Sequence, residues 1–435
     1  MLFQLRRLTS TILIAAGMLL CGCARTTSEG IPNLSEYGNQ VQKDSQFNLD
    51  LRGSEIHARP AGTVVIWTPE YQGMDPFIQK MIDSTIAELV NRFESDYSTI
   101  KVIWEKYSDS LIYKRYSQEI SSGLGPDVLL AHNFMISQLG KRGDIQDVKA
   151  DFSGLRYTRK KLLESLKVDG KLYAVPFIVN VQLLCFDKRK ISTPPQSLDK
   201  LVELSKSGIS VAIGGNFLDK MWGLPGLKIT SLNSKKASQA AFKDSLTRWI
   251  VSLKTMDLEP NLALFKNTAV MTEYFSQGKI SIMNCTSIDL PLLREKIGVE
   301  NLGVAPLPSI NGQPASPRLT GASFVFNPFM SKNQKNLAHR FASFAVSTDQ
   351  QQQIAINWNS ILPVNTNSDF NNQLFPIYRD SEYSLANSFM LSSQEFEVLA
   401  KKFNTIQTLF EDATSGLMDP DVASQDIVNQ LSVKQ

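Results

Sequence analysis

Apolar positions along the chain switch between a period of two and a period near three and a half. The run TVVIW at 63–67 is short and β-branched, the pattern of a strand. Residues 68–73 follow as a loop with the turn formers Pro69 and Gly73. Over 76–95, Phe77, Met81, Ile82, Ile86, Leu89, Val90 and Phe93 recur at three and four residues and predict a helix. IKVIW at 100–104 predicts a second strand, 111–121 a second helix and VLLA at 128–131 a third strand. This strand–helix alternation predicts a largely parallel sheet with helices on its faces.

The third strand sits inside GLGPDVLLAHNFMISQLGKRG, residues 123–143. His132, Asn133, Phe134 and Met135 emerge where the strand ends, and a short helical segment follows, stopped at Gly140 or Gly143. Ligands bind at that edge of open α/β sheets. Further on, Asp169-Gly170 reads as a turn, 172–176 as a strand broken by Pro176, and 179–186 as a strand long enough to cross between two domains. Helices are expected at 197–205, 234–256, 271–277, 335–347 and across most of 395–431, with breaks near Gly416 and Pro420. Strands are expected at 280–284, 302–307 and 322–327. Between two of the helices, 214–226 is less regular and carries Phe217 and Trp222, as a lid or ligand loop would.

Composition leaves this picture intact. The chain has 435 residues, 43% hydrophobic and 20% charged, with a net charge of +3. That balance argues against nucleic acid as a partner. The N-terminus adds an address. Arg6 and Arg7 precede an apolar core at 11–20, too short to span a bilayer, and then Leu20-Cys21-Gly22-Cys23. The tetrad resembles a bacterial lipobox, which implies a leader at 1–22, a lipid on Cys23 and a membrane anchor. Residues 23–62 are polar and read as a tether; as a flexible coil of about 39 residues it would extend roughly 35 Å. Cys185 and Cys285 lie in strand-like surroundings, where two readings stand: two buried thiols, or one disulfide in an oxidising compartment.

Reactive chemistry has few places to reside. The three histidines are His57 in the tether, His132, and His339 on the expected outer side of a helix. No HExxH, GxSxG, GxxxxGK[ST] or GxGxxG pattern occurs. The expectation is a binding protein without catalytic residues, metal or cofactor.

Five blocks, in order, then carry a resemblance: TVVIWTPEYQ, GLGPDVLLAHNFMISQLGKRGDIQDV, DGKLYAVPFIVNVQLLCFDKRKI, YFSQGKISIMNCTS and LGVAPLPSINGQPASPRLTGASFVFNP. Together they resemble the extracellular solute-binding proteins of ABC importers, in particular the sugar-binding group that includes the maltodextrin readers. The resemblance implies an α/β fold of two lobes, each a mainly parallel sheet flanked by helices, joined by hinge strands around a solute cleft. Its implied boundaries are 63–178 for the first part of the N-terminal lobe, 179–305 for the C-terminal lobe, 306–365 for the return and hinge, and 366–435 for helices packing across the lobes. Implied partners are a carbohydrate and a membrane permease, for a monomeric protein.

Carried over by position, Glu70 and Tyr71 fall in the first ligand-side loop, and His132 and Asn133 on the N-lobe wall. Asn180 stands where the maltodextrin readers place a hinge glutamate, Ser287 near a tryptophan platform, and Phe403 near a late aromatic cluster. Asn284 and Asp289 flank the end of the 280–284 strand, and Gly321 and Ser323 lie in the last block. Trp67, Trp222 and Trp358 are candidate aromatic platforms for pyranose C–H faces, and Phe217 is a candidate contact from the loop that carries Trp222. Much of the maltodextrin-reading set is thereby replaced, and the neutral candidates favour a neutral polar solute. Three rivals are the same fold with a non-sugar solute, a lipid-anchored hydrolase built around His132, and a sensor lobe presenting solute to a membrane receptor.

Overall fold

The computed structural model describes residues 61–149, 152–224, 236–368, 370, 375–389 and 393–431. The expected leader, the Cys23 anchor, the tether up to residue 60 and His57 lie outside the described residues.

The first strands form as the alternation predicts. Strand β1 (Gly62–Glu70) pairs in parallel with β2 (Ile100–Ser108) on one side and with β3 (Val128–His132) on the other. The helix Pro76–Asp96 connects the first two; Asp75 caps it by accepting from the Phe77 N–H, and Pro76 occupies its first turn. Its buried Ile82, Ile86, Leu89 and Phe93 pack with Val64 and Ile66 of β1 in one core. Next comes the hairpin β4 (Lys167–Val168) and β5 (Lys171–Leu172). Its two-residue loop has Asp169 at φ 50° and Gly170 at φ 80°, the left-handed pair that this tight turn requires.

Strand β6 (Val175–Asp187) runs for 13 residues. Pro176 does not break it, contrary to expectation. Its missing N–H is absorbed by a shift of register, with Ile178 opposite Ala322 and Pro176 opposite Ser323. Strands β7 (Val211–Gly214), β8 (Leu262–Phe265) and β9 (Ile282–Thr286) follow, β7 lying parallel between the other two. Strands β10 (Leu302–Ala305) and β11 (Leu319–Phe326) complete the set among the described residues.

The sheet order is β2-β1-β3-β11-β6-β9-β7-β8, with β10 also on β6. The N-terminal half of β6 pairs antiparallel with β11, and its C-terminal half with β9 and β10. Two parallel-cored half-sheets are thus joined through one crossing strand, the two-lobed α/β architecture expected from the sequence. A second core gathers Leu184, Phe186, Trp222, Trp249, Ile406 and Phe410 on the C-terminal side.

Three local expectations change. His339 does not face outward: its ring packs edge-on to Phe326 at 4.7 Å and Phe152 at 5.0 Å. Burial lowers its pKa to about 4. The strand expected at 322–327 starts three residues earlier, at Leu319. Finally, the two readings of the cysteines resolve into a disulfide. Cys185 on β6 and Cys285 on β9 are bonded, with Cα atoms 5.8 Å apart, on strands whose register pairs Leu183 with Cys285 and Cys185 with Met283.

The bond closes a loop with a sequence separation of 100 residues, so it removes much freedom from the unfolded chain. Replacing both cysteines by serine is expected to lower the unfolding free energy by about 2–4 kcal/mol. A urea titration reads the change; an unshifted midpoint would show that the cross-link does not constrain the unfolded ensemble.

Candidate functional site

A cleft of about 340 Å³ opens where β1 and β3 end, where β11 begins, and beside the midpoint of β6. Its N-terminal wall is aromatic. Tyr71, one residue beyond β1, meets the His132 ring at 5.0 Å, and His132 stacks on Phe134 at 4.8 Å with only 13° between planes. The backbone sets this ladder. The Tyr71 N–H donates to Gln79 Oε1 at 3.0 Å, and the His132 N–H donates to Tyr113 Oη at 2.9 Å. A 3₁₀ turn at Asn133–Met135 then leads into the helix Ile136–Arg142, which stops at Gly143.

The floor is a polar knot on β6. Asn180 Oδ1 accepts from Ser287 Oγ at 2.9 Å and from the Ile288 N–H at 3.1 Å, while its Nδ2 donates to Thr320 Oγ1 at 3.2 Å. Beside it, Ser323 Oγ donates to Asn133 Oδ1 at 2.6 Å. Gly321 lies between them. A Cβ there would come within 2.2 Å of the Ile178 carbonyl oxygen, so this stretch of β11 can approach β6 only as glycine. At the far edge Arg318 Nη1 bonds Asp219 Oδ1 at 2.8 Å, and its own N–H donates to Gln182 Oε1 at 2.7 Å. Leu218, Ile288, Leu319 and Phe389 give the remaining wall an apolar surface.

The electrostatics are quiet. Burial pushes the His132 pKa down to about 4, with Arg318 adding to the shift and Asp109 opposing it. Burial also raises the Tyr71 and Tyr113 phenols well above their ordinary range. At neutral pH the ladder is therefore uncharged. Neither ring nitrogen of His132 has a hydrogen-bond partner among the described residues, so no serine or carboxylate is coupled to it there.

Of the sequence candidates, the structure gathers Tyr71, His132, Asn133, Asn180 and Gly321 on the cleft lining. Ser287 and Ser323 lie one hydrogen bond behind it. The other candidates sit elsewhere. Glu70 is exposed at the end of β1. Phe217 and Trp222 are buried in the second core, where Phe217 meets Phe410 at 5.0 Å and Trp222 meets Trp249 at 5.1 Å. Trp358 is buried too and donates to Thr85 Oγ1. Phe403 packs on the second core. Asn284 spends its amide on Gly214, accepting from its N–H at 2.6 Å and donating to its carbonyl at 3.0 Å. Asp289 closes its own turn, accepting from the Thr286 N–H and hydroxyl; burial raises its pKa. For Phe217, Trp222 and Trp358 the reason is that a large ring gains more from full burial than from a rim; for Asn284 and Asp289 it is that a short polar side chain near a strand end first satisfies backbone. Arg318, Leu218, Ile288 and Phe389 were missed. The alternation of β11 extended upstream from Ala322 would have reached Leu319, the neighbour of Arg318.

The model of the bacterial extracellular solute-binding protein family matches residues 88–374. The chain belongs to that family. It is 25% identical over 130 residues to the maltodextrin-binding protein MdxE of Bacillus subtilis, a match covering 30% of each chain. It is 24% identical over 345 residues to a maltooligosaccharide ABC transporter solute-binding lipoprotein of Streptococcus pneumoniae, covering 72% of this chain and 76% of that one. The chain thus spans under a third of the length of the Bacillus relative. Among solved structures, a cyclo/maltodextrin-binding protein complexed with maltotetraose aligns over 88% of this chain and 98% of its own, with a TM-score of 0.70 at 16% identity. That likeness supports the two-lobed fold.

Two outcomes follow for this solute-binding protein. Asn180→Ala leaves Ser287 Oγ and the Ile288 N–H without their acceptor and is expected to cost about 1–3 kcal/mol in a urea titration; an unchanged midpoint would mean the knot is not stabilising. For His132, the folded pKa of about 4 lies below the ordinary 6.5. Its contribution is therefore fully present above pH 6.5 and is lost as pH falls towards 4, where only the unfolded chain takes up the proton. His132→Asn is expected to lose less stability than the parent between pH 6.5 and 4, as followed by thermal melts; parallel curves would contradict a neutral, buried imidazole.

Proposed function

We propose that this protein is the lipid-anchored binding component of an ABC importer for a carbohydrate or glycosidic solute. The observation that carries the reading is the aromatic ladder Tyr71–His132–Phe134 at the C-terminal ends of the N-lobe strands, facing polar groups at the strand crossing. Pyranose C–H faces lie well against such rings, and hydroxyls require donors and acceptors at fixed positions. The relatives whose names speak of maltodextrin and maltooligosaccharide support the same solute class. No step of this function needs covalent chemistry. Solute binding between the lobes favours the closed arrangement by its greater affinity for that state, and the permease reads the closed form.

The anchor rests on the lipobox. The leader is removed, Cys23 takes the lipid, and the tether holds the folded body away from the membrane as a monomer. Metabolic labelling with a fatty acid is expected to mark the parent protein and not Cys23→Ser.

None of the five tryptophans lines the cleft, so their fluorescence is a poor reporter of binding. Isothermal calorimetry and thermal shift are the suitable measurements. A panel of monosaccharides, disaccharides, maltooligosaccharides and simple glycosides is expected to contain at least one ligand that raises Tm in a concentration-dependent way. Silence across the panel, with amino acids or polyamines giving the shift instead, would remove the carbohydrate assignment.

A further inference from the structure

The cleft has already spent much of its hydrogen-bonding capacity on itself. Asn133 Oδ1 is taken by Ser323, Asn180 Oδ1 by two donors, and one nitrogen of Arg318 by Asp219. What faces a ligand unpaired among the described residues is the Tyr71 hydroxyl, the His132 ring nitrogens, the Asn133 amide nitrogen and the Arg318 nitrogens other than Nη1, all at the ladder or at the edge of the strand crossing. The Ser137 hydroxyl, on the same lining, is buried and has no partner. The same lining carries the apolar side chains of Leu218, Ile288, Leu319 and Phe389. A fully hydroxylated oligosaccharide pressed against those side chains would lose water from hydroxyls that find no replacement. The volume, about 340 Å³, suits one or two rings rather than a chain of them.

Building on the carbohydrate reading, we infer that the cleft selects a glycoside carrying an apolar aglycone, with one sugar ring on the Tyr71–His132–Phe134 ladder and the aglycone on the wall formed by Leu218, Ile288 and Phe389. The amphiphilic ligand matches the amphiphilic cleft. The sugar uses the few open polar groups, and the aglycone supplies the apolar area that a second hydroxylated ring could not.

Calorimetry with matched pairs tests this: methyl and 4-nitrophenyl glycosides of glucose, galactose, mannose and xylose, with maltose and maltotriose alongside and 4-nitrophenol alone as control. For the sugar that binds, the aryl glycoside is expected to be at least about tenfold tighter than its methyl partner, and tighter than maltose or maltotriose. Ile288→Ser, checked for folding by its melt, is expected to shrink that ratio several-fold by weakening the aryl glycoside. Equal affinity within the pairs, or tightest binding by maltotriose, would overturn the aglycone inference and leave the carbohydrate reading standing. Binding of 4-nitrophenol alone with no response to any sugar or glycoside would overturn both.

Discussion

Asn180 sits at the middle of the one strand that both half-sheets share, and its side-chain amide bonds to groups from two other segments at once: Thr320 on β11, and Ser287 and Ile288 just beyond β9. β11 belongs to the N-terminal half-sheet and β9 to the C-terminal one. The cleft exists because these three segments meet at one point, and the amide fixes how they meet. A side chain at Gly321 would strike the Ile178 carbonyl, which explains why β11 lies close enough for Thr320 to reach Asn180 at all. The aromatic ladder then needs only the ends of β1 and β3, held in parallel register, to face this point.

The frame around that point is stiff on one side and polar only where it must be. The Cys185–Cys285 bond ties β6 to β9 five residues along the strand from Asn180, so the C-terminal half of the crossing strand cannot part from its neighbour. Arg318 and Gln182 extend the polar knot to Asp219, joining the start of β11 to the short helix Phe217–Lys220. Lys220, also buried, donates to the carbonyls of Gly215 and Phe265, and burial lowers its pKa to about 8. Charged groups here serve carbonyls and one another, and Arg318, paired with Asp219, is the charged residue on the cleft lining among the described residues.

The fold was legible because its signals are local and repeated. Period-two and helical runs gave the first three strands and their helices in order, and the length of β6 announced a crossing between two halves; the short strands β7 and β8 and the helices Leu290–Ile297, Thr348–Trp358 and Pro376–Asn387 were not expected. The cleft was legible at backbone positions, where strand ends must point, and so Tyr71, His132, Asn133, Asn180 and Gly321, named from their positions, lie on its lining. Residue type misled. Trp222 and Trp358 were attractive as sugar platforms, yet rings of that size close cores, each against a partner distant in sequence. Asn284 and Asp289 had the right chemistry at a strand end, and backbone groups claimed them first. Leu218, Ile288 and Phe389 come from three separate segments that only the fold brings to one wall, so no spacing along the chain could reveal them.

Solute is expected to lie between the ladder and the apolar side chains, beside Asn180. The most direct measurement is a crystal structure of the protein with the tightest-binding glycoside found by calorimetry. Ligand density is expected stacked on Tyr71 and Phe134, with polar atoms within hydrogen-bonding distance of His132 or Asn133. Density at another surface, with this cleft holding only water, would contradict it.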